Sequence, residues 1–575
     1  MSRNTAPATL TADRRSPNMW DLAAILCVFA AIVAVVQVAP ATIQSLNAPQ
    51  ATAVSLDPSN LPAYAMRTTM RMFAALAASL LFTFIYAPVA AKSRRAGFVM
   101  IPILDILQSV PILGFLSFTT VFFMSLFPGS VAGLEAAAIF AIFTSQAWNM
   151  TFSFYQSLTT IPPDLDEATR SYHLSSWQRF WRLEVPFAVP GLVWNMMLSM
   201  SGGWFFVVAS EAITLGDKTW KLPGIGSYVA EALNKRDIAA VFWAIGAMLV
   251  VIIIYDQVLF RPLVAWSEKF RFEMIAGATA EDPWVLRILR RTRALRVGGA
   301  AVGQVIGSIG RMRLSAPRLA RSTESPPTRV GDAVFLFIVG VVTAAAAWKI
   351  VTYIGSHDVG LSDLLKAFEL GCITMLRVVV LIILASLFWV PIGVWIGLHP
   401  AWAQRTQVVV QFLAAFPANL LFPIFVILIV RFRVSPDIWL TPLMILGTQW
   451  YILFNVVAGA SAFPGDMREA ARNFQIRGWL WWRRVILPGI LPYFVTGAIT
   501  ASGGCWNAAI VAEVATWGDT KLTAHGLGAY IAHATDTGDF PRIILGVAVM
   551  SAFVLAFNRV LWRPLYAFST RRLTY

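Results

Sequence analysis

The chain has 575 residues, of which 58% are hydrophobic and 13% charged, with a mean hydropathy of +0.67 and a formal net charge of +15. Soluble domains run near ~45–50% apolar and ~25% charged, so a string of soluble domains is excluded and lipid must be the main solvent. Three cysteines (Cys27, Cys372, Cys505) lie too far apart for a disulfide framework or zinc-ligand spacing, and positive charge beside apolar runs fits cytoplasmic loops rather than nucleic acid.

A bilayer core takes ~20 apolar residues per helix. In chain order the pattern predicts spans at 20–39, 70–91, 98–127 (interrupted by Pro102 and Pro111), 132–157, 190–213 and 239–260. A second set follows at 332–351, 373–397, 406–430, 438–460, 490–513 and 541–562. The expectation is an all-α polytopic membrane protein of about twelve helices. The first span follows Arg14 and Arg15, but it is too long for a signal-peptide core and has a counterpart at 332–351.

With residues 1–19 as a cytoplasmic tail, the segments assigned to the cytosol hold most of the 45 Lys and Arg. Clusters such as Lys92, Arg94, Arg95 and Arg170, Arg179, Arg182 fall there, so both termini are expected inside the cell (inner) membrane. Residues 266–330 are basic, with Gly, Ser and Pro towards the end, and read as a cytoplasmic linker. It separates a first half, 20–265 with its core at 66–265, from a second, 331–575 with its core at 372–570.

The halves repeat. DEATRSYHLSSWQRFWRLEVP (166–186) aligns with REAARNFQIRGWLWWRRVILP (468–488) at an offset of 302 residues. The same offset pairs Trp148 with Trp450, Trp204 with Trp506, Glu211 with Glu513, Gly216-Asp217 with Gly518-Asp519, and Gly224-Ile225-Gly226 with Gly526-Leu527-Gly528. Six spans per half is an even number, so the halves are expected to enter the membrane in the same sense as two parallel six-helix repeats around a central path.

Ionisable and polar groups in spans are costly and mark candidate function. Asp105, Asn149, Trp204, Glu211, Trp506 and Glu513 are the candidate path residues. Each Glu lies seven residues beyond its Trp, two turns along the same helix face. Two readings stand for the carboxylates: an outer gate on the path, or a hydrogen bond to a neighbouring helix end. Arg71 and Arg377, at the outer starts of equivalent spans, have two readings, attraction of an anionic substrate or anchoring at headgroups, of which the second is favoured. The five histidines are scattered and give no metal site.

The repeated cytoplasmic segment carries the functional signal. Asp164-x-x-Glu167 and Asp466-x-x-Glu469 have capping-box spacing for a helix start, and aromatic anchors follow at Trp177 and Trp479. Glu167-Ala168 with Val185-Pro186, and Glu469-Ala470-Ala471 with Leu487-Pro488, resemble the EAA loop of ABC-importer permeases, nitrate/sulfonate/taurine-type permeases in particular. Both copies depart from that pattern at its glycine, where His173 and Gln475 stand. The resemblance implies a fused double permease with a type I importer fold in each half, its loops coupling to two separate ATPase subunits. It also implies an external solute-binding protein delivering a small solute, for example nitrate, sulfonate or bicarbonate. No Gly-x-x-x-x-Gly-Lys-Ser/Thr phosphate loop occurs in the sequence. The expectation is therefore a non-enzymatic subunit that binds no cofactor itself, with ATP and Mg on the partner. The competing reading is an ion-coupled secondary transporter using Asp105, Glu211 and Glu513.

Overall fold

A computed structural model describes residues 54–571, apart from 216–217, 358, 462, 464, 519 and most of 271–328. The tail 1–19, the expected span 20–39 and most of the linker lie outside the described residues. The first half comprises α1 (Leu61–Lys92), α2 (Arg94–Ser109), α3 (Ile112–Leu126), α4 (Val131–Thr159), α5 (Pro163–Ser171), α6 (Val185–Ser210), β1 (Ala212–Leu215), β2 (Lys218–Lys221), α7 (Ile225–Asn234) and α8 (Ile238–Tyr255). The second comprises α9 (Arg329–Gly355), α10 (Leu361–Gly397), α11 (Pro400–Ala415), α12 (Phe422–Phe432), α13 (Gln449–Ser461), α14 (Gly465–Asn473), α15 (Leu487–Ala512), β3 (Val514–Trp517), β4 (Thr520–Thr523), α16 (Leu527–Thr537) and α17 (Phe540–Phe557). From α5 to α8 every element except α7 recurs 302 residues later with both ends unchanged.

Among the described residues seven helices are long and apolar enough to cross a membrane, or up to ten if each of three bent pairs is one span. The bends correct three expected spans. Residues 98–127 form α2 and α3, turned by 103° where Val110 precedes Pro111. Residues 406–430 break by 78° at Phe416-Pro417, and 438–460 bend by 43° ahead of α13. A residue before proline is pushed out of the helical region, and Val110 and Phe416 are both extended.

The all-α expectation also needs correcting, because each half carries a two-stranded antiparallel hairpin. Ala212 pairs with Lys221 and Leu215 with Lys218; Val514 pairs with Thr523 and Trp517 with Thr520. The β-branched and aromatic content of these strands accounts for them.

In each half one helix is sandwiched by two others: α4 between α1 and α6, and α13 between α10 and α15. Gly133, Ala137, Ala138 and Ala141 line the buried side of α4, where small side chains let backbones approach. Leu81, Ile85, Phe242, Trp243 and Ile253 stay exposed on α1 and α8, as lipid-facing surface requires. Asp237 and Asp539 cap α8 and α17 by accepting from the amides of Ala240 (3.0 Å) and Arg542 (3.1 Å).

The halves interlock reciprocally. Helix α3 lies against α15, α16 and α17, and the Ile112 amide donates to Asn507 Oδ1 at 2.7 Å. In return α11 lies against α6 and α8, and Gln411 Nε2 donates to Asp256 Oδ1 at 2.8 Å. Strand β1 touches α16, and β3 touches α7. Helices α6 and α15 therefore run from the repeated loops at one end to the hairpins at the other.

Candidate functional site

Three places in this architecture can do work: the repeated loops, an ion-pair lock beside each hairpin, and a cavity between the hairpins.

Helix α5 opens at Pro163, with Pro162 in the N-cap position and no side-chain cap. The expected Asp164–Glu167 capping box is therefore absent. The helix begins two residues earlier than the motif suggested, and Asp164 sits in its first turn, where a negative charge suits the helix dipole. The capping box forms instead at Ser175 and Gln178, opening the next short helix.

Between them the chain stops in a Schellman turn. The His173 and Leu174 amides donate to the Arg170 and Thr169 carbonyls at 3.0 and 3.1 Å, with His173 at φ +50°. In the second copy Gln475 and Ile476 donate to Arg472 and Ala471 at 3.0 and 2.9 Å, with Gln475 at φ +52°. The two positions where the sequence departs from the EAA pattern's glycine are thus left-handed, the conformation glycine adopts at least cost. The departure changes the residue and leaves the turn intact.

Glu167, Ala168, His173, Glu469, Ala470 and Gln475 are exposed. Large apolar side chains stand out around them: Tyr172 is 79% exposed, Phe474 80% and Trp479 73%. Trp177 is instead half-buried against Phe180 and Trp181. Asp466 lies in the first turn of α14, and its side chain is outside the described residues. A turn of π-helix (Phe180–Glu184, Trp482–Ile486) joins each loop to its long helix, putting Pro186 and Pro488 in the first turns of α6 and α15, where no amide is missed.

At the far ends of α6 and α15 lie Glu211 and Glu513, both buried. Glu211 accepts from Thr68 Oγ1 (2.7 Å), Arg71 Nη1 (2.7 Å) and the Gly226 amide (2.6 Å) at the start of α7. Arg71 also grips Glu135 with two hydrogen bonds, 2.6 and 2.7 Å, and donates to the Pro223 carbonyl. Glu513 accepts from Thr374 (2.9 Å), Arg377 (3.1 Å) and the Ala529 amide (3.0 Å).

Two glycines make this approach possible: a Cβ on Gly226 or Gly528 would drive into the Val208 or Ala509 carbonyl. Arg71 is therefore buried in the protein rather than anchored at headgroups, because two carboxylates replace its hydration. Sequence reasoning missed Glu135 and its counterpart Asp437, although the 302-residue offset pairs them. Asp437 lies 3.2 Å from Arg377 and also accepts from His525.

Trp204 and Trp506 are buried too, against Tyr255 and Phe553. Asn149 accepts from Gln108 at 3.2 Å. Asp105 lies on α2 with its side chain outside the described residues. Each membrane carboxylate that is described in full holds several donors at once, so the geometry lends the proton-carrier reading no support. Outside the spans, the Lys221 ammonium on Glu231 holds that carboxyl below its usual range and ties β2 to α7. Among the described residues no group of His, Cys, Asp and Glu could hold a metal ion.

A cavity of about 240 Å³ opens between the hairpins. It is lined by both members of three repeat-related pairs: Ala209 and Val511, Ala212 and Val514, Thr214 and Thr516. Only surfaces facing across the pseudo-two-fold axis can meet that way.

The profile of the family described as "binding-protein-dependent transport system inner membrane component" matches twice, at residues 79–261 and 389–573. A nitrate import permease protein of Leptolyngbya laminosa is 27% identical over 182 residues, covering 32% of this chain and 62% of that protein. A bicarbonate transport system permease protein of Synechococcus elongatus is 28% identical over 180 residues, covering 31% and 62%. A glycine betaine/carnitine transport permease protein of Listeria monocytogenes is 28% identical over 187 residues, covering 32% and 58%. The chain thus spans less than two thirds of the length of each.

Proposed function

Because the chain belongs to the family of binding-protein-dependent transport system inner membrane components, we propose that it is the fused double permease of an ABC importer. It forms the path for a small solute and couples to two ATPase subunits on separate chains, which hold ATP and Mg. In this reading about twelve helices form two parallel sets of six in the cell inner membrane, with both termini cytoplasmic and an external solute-binding protein delivering the cargo. Relatives named for nitrate and bicarbonate favour a small anion.

The observation that carries the reading is the pair of loops. Two short helices, 302 residues apart, end in the same left-handed turn at the motif's glycine position and present exposed Glu, Ala and aromatic side chains. A rigid knob of that kind fits a groove on a partner. Each knob is continuous with a helix whose other end holds Glu211 or Glu513, so a push at the loop is delivered to the lock beside the axial cavity. The coupling contacts belong to Asp164, Glu167, Ala168, His173 and Trp177, with Asp466, Glu469, Ala470, Gln475 and Trp479 in the second copy. Pro186 and Pro488 begin the levers.

Charge reversal at both loops (Glu167→Lys with Glu469→Lys) is expected to strip the ATPase from the purified complex while the permease stays folded. An ATPase that still co-purifies in full would overturn the reading.

A further inference from the structure

Three repeat-related pairs line the axial cavity from both sides, but its charge comes from one side only. Strands β1 and β3 bring Thr214 and Thr516 to it from either side. Across the first hairpin Thr214 faces Thr219, and the two hydroxyls share a hydrogen bond at 3.1 Å. Across the second, Thr516 faces Lys521, which lines the cavity. Lys521 Nζ pairs with Asp536 Oδ2 at 2.5 Å, and Asp536 lines the cavity as well. At the position equivalent to Asp536 the first half has Asn234. One half thus offers a neutral hydroxyl pair and the other a Lys–Asp ion pair, within a wall that mixes Leu113, Leu116, Ile213 and Ile510 with the hydroxyls of Ser117 and Thr535.

We propose that Lys521 is the group that selects a small oxyanion at the outer mouth of the path, and that Asp536 occupies its ammonium until the anion arrives. This inference rests on the permease reading above. A half-exposed ion pair adds little net stability, so an anion bringing its own charge can take the place of Asp536 at small cost. The displaced carboxylate is itself 41% exposed and returns to water. The Thr516 hydroxyl across the strand pair, with those of Ser117 and Thr535 in the wall, supplies donors for the anion's remaining oxygens. A cation meets the same ammonium as a barrier, so the arrangement sorts by sign before the solute moves further.

The test uses the complete complex, with its ATPase and binding protein, in liposomes supplied with nitrate or bicarbonate. Lys521→Gln is expected to lower anion uptake at least tenfold. Lys521→Arg should restore uptake to within about twofold, and Asp536→Asn, which leaves the ammonium unpaired, should retain it. Wild-type uptake in Lys521→Gln, or loss of uptake in Asp536→Asn, overturns the proposal.

A second measurement is independent of transport: broadening of the ¹⁵N-nitrate resonance by the purified chain in nanodiscs. Broadening abolished in Lys521→Gln supports the proposal. Equal broadening in both chains, or none with wild type, overturns it. Absence of any ATP-driven uptake would sink the permease reading, and the nitrate measurement would still decide the role of Lys521.

Discussion

Removing Arg71 would leave Glu135 and Glu211 facing each other in a site closed to water. Breaking a buried ion pair from one side costs about 3–5 kcal/mol, because the remaining charge is stranded. Arg71→Met should therefore strongly depress the thermal stability of the solubilised protein. Arg377→Met should cost less, because it strands one buried carboxylate, Glu513, whereas Asp437 is 40% exposed and keeps His525 as a partner. Comparing the two unfolding temperatures checks the difference; equal losses would contradict the buried geometry around Arg71. The same site shows where the sequence was legible. Glu211 and Glu513 stood out as carboxylates in apolar runs, and their bond to a neighbouring helix end was one of the two readings. Glu135 and Asp437 did not stand out, because nothing local to either residue announces that an arginine sixty or more residues away will grip it.

The repeated loop behaves as an element whose shape is fixed by one backbone angle. A left-handed non-glycine residue costs roughly 1–2 kcal/mol. His173→Gly is expected to stabilise the loop by about 1 kcal/mol and leave the ATPase bound. His173→Val should loosen it, read as faster proteolytic cleavage within 171–175; equal cleavage of the two variants would count against the turn. The hairpin is a second such element, fastened to α7 by Lys221 and Glu231. Glu231 titrates lower when folded, so the bond's contribution is complete above the ordinary carboxylate value of about 4.3 and is lost as pH falls through the depressed one. Fluorescence of Trp220 on β2 should hold steady down to about that value and change below it, and Lys221→Met should abolish the transition. The hairpins were absent from the sequence reading although the Gly-Asp pairs lay in plain view. A four-residue strand after an apolar helix offers too short an alternation to compete with the helical pattern.

At the scale of the molecule, the 302-residue repeat was legible because it integrates over many residues, and the structure preserves it down to the ends of individual helices. Bends in the expected spans were not legible, since a proline inside an apolar run signals interruption without giving the angle. Nor were the π-turns, which recur in both halves at Asp256–Phe260 and Asn558–Trp562 as well as at the loops.

Joining the halves in one polypeptide has a consequence of parity. Two identical chains around a two-fold axis can supply only even numbers of any group to that axis. Here the axis meets one lysine and one aspartate, both from the same side. A surface of uneven charge results at the axis, which no homodimer of either half could present.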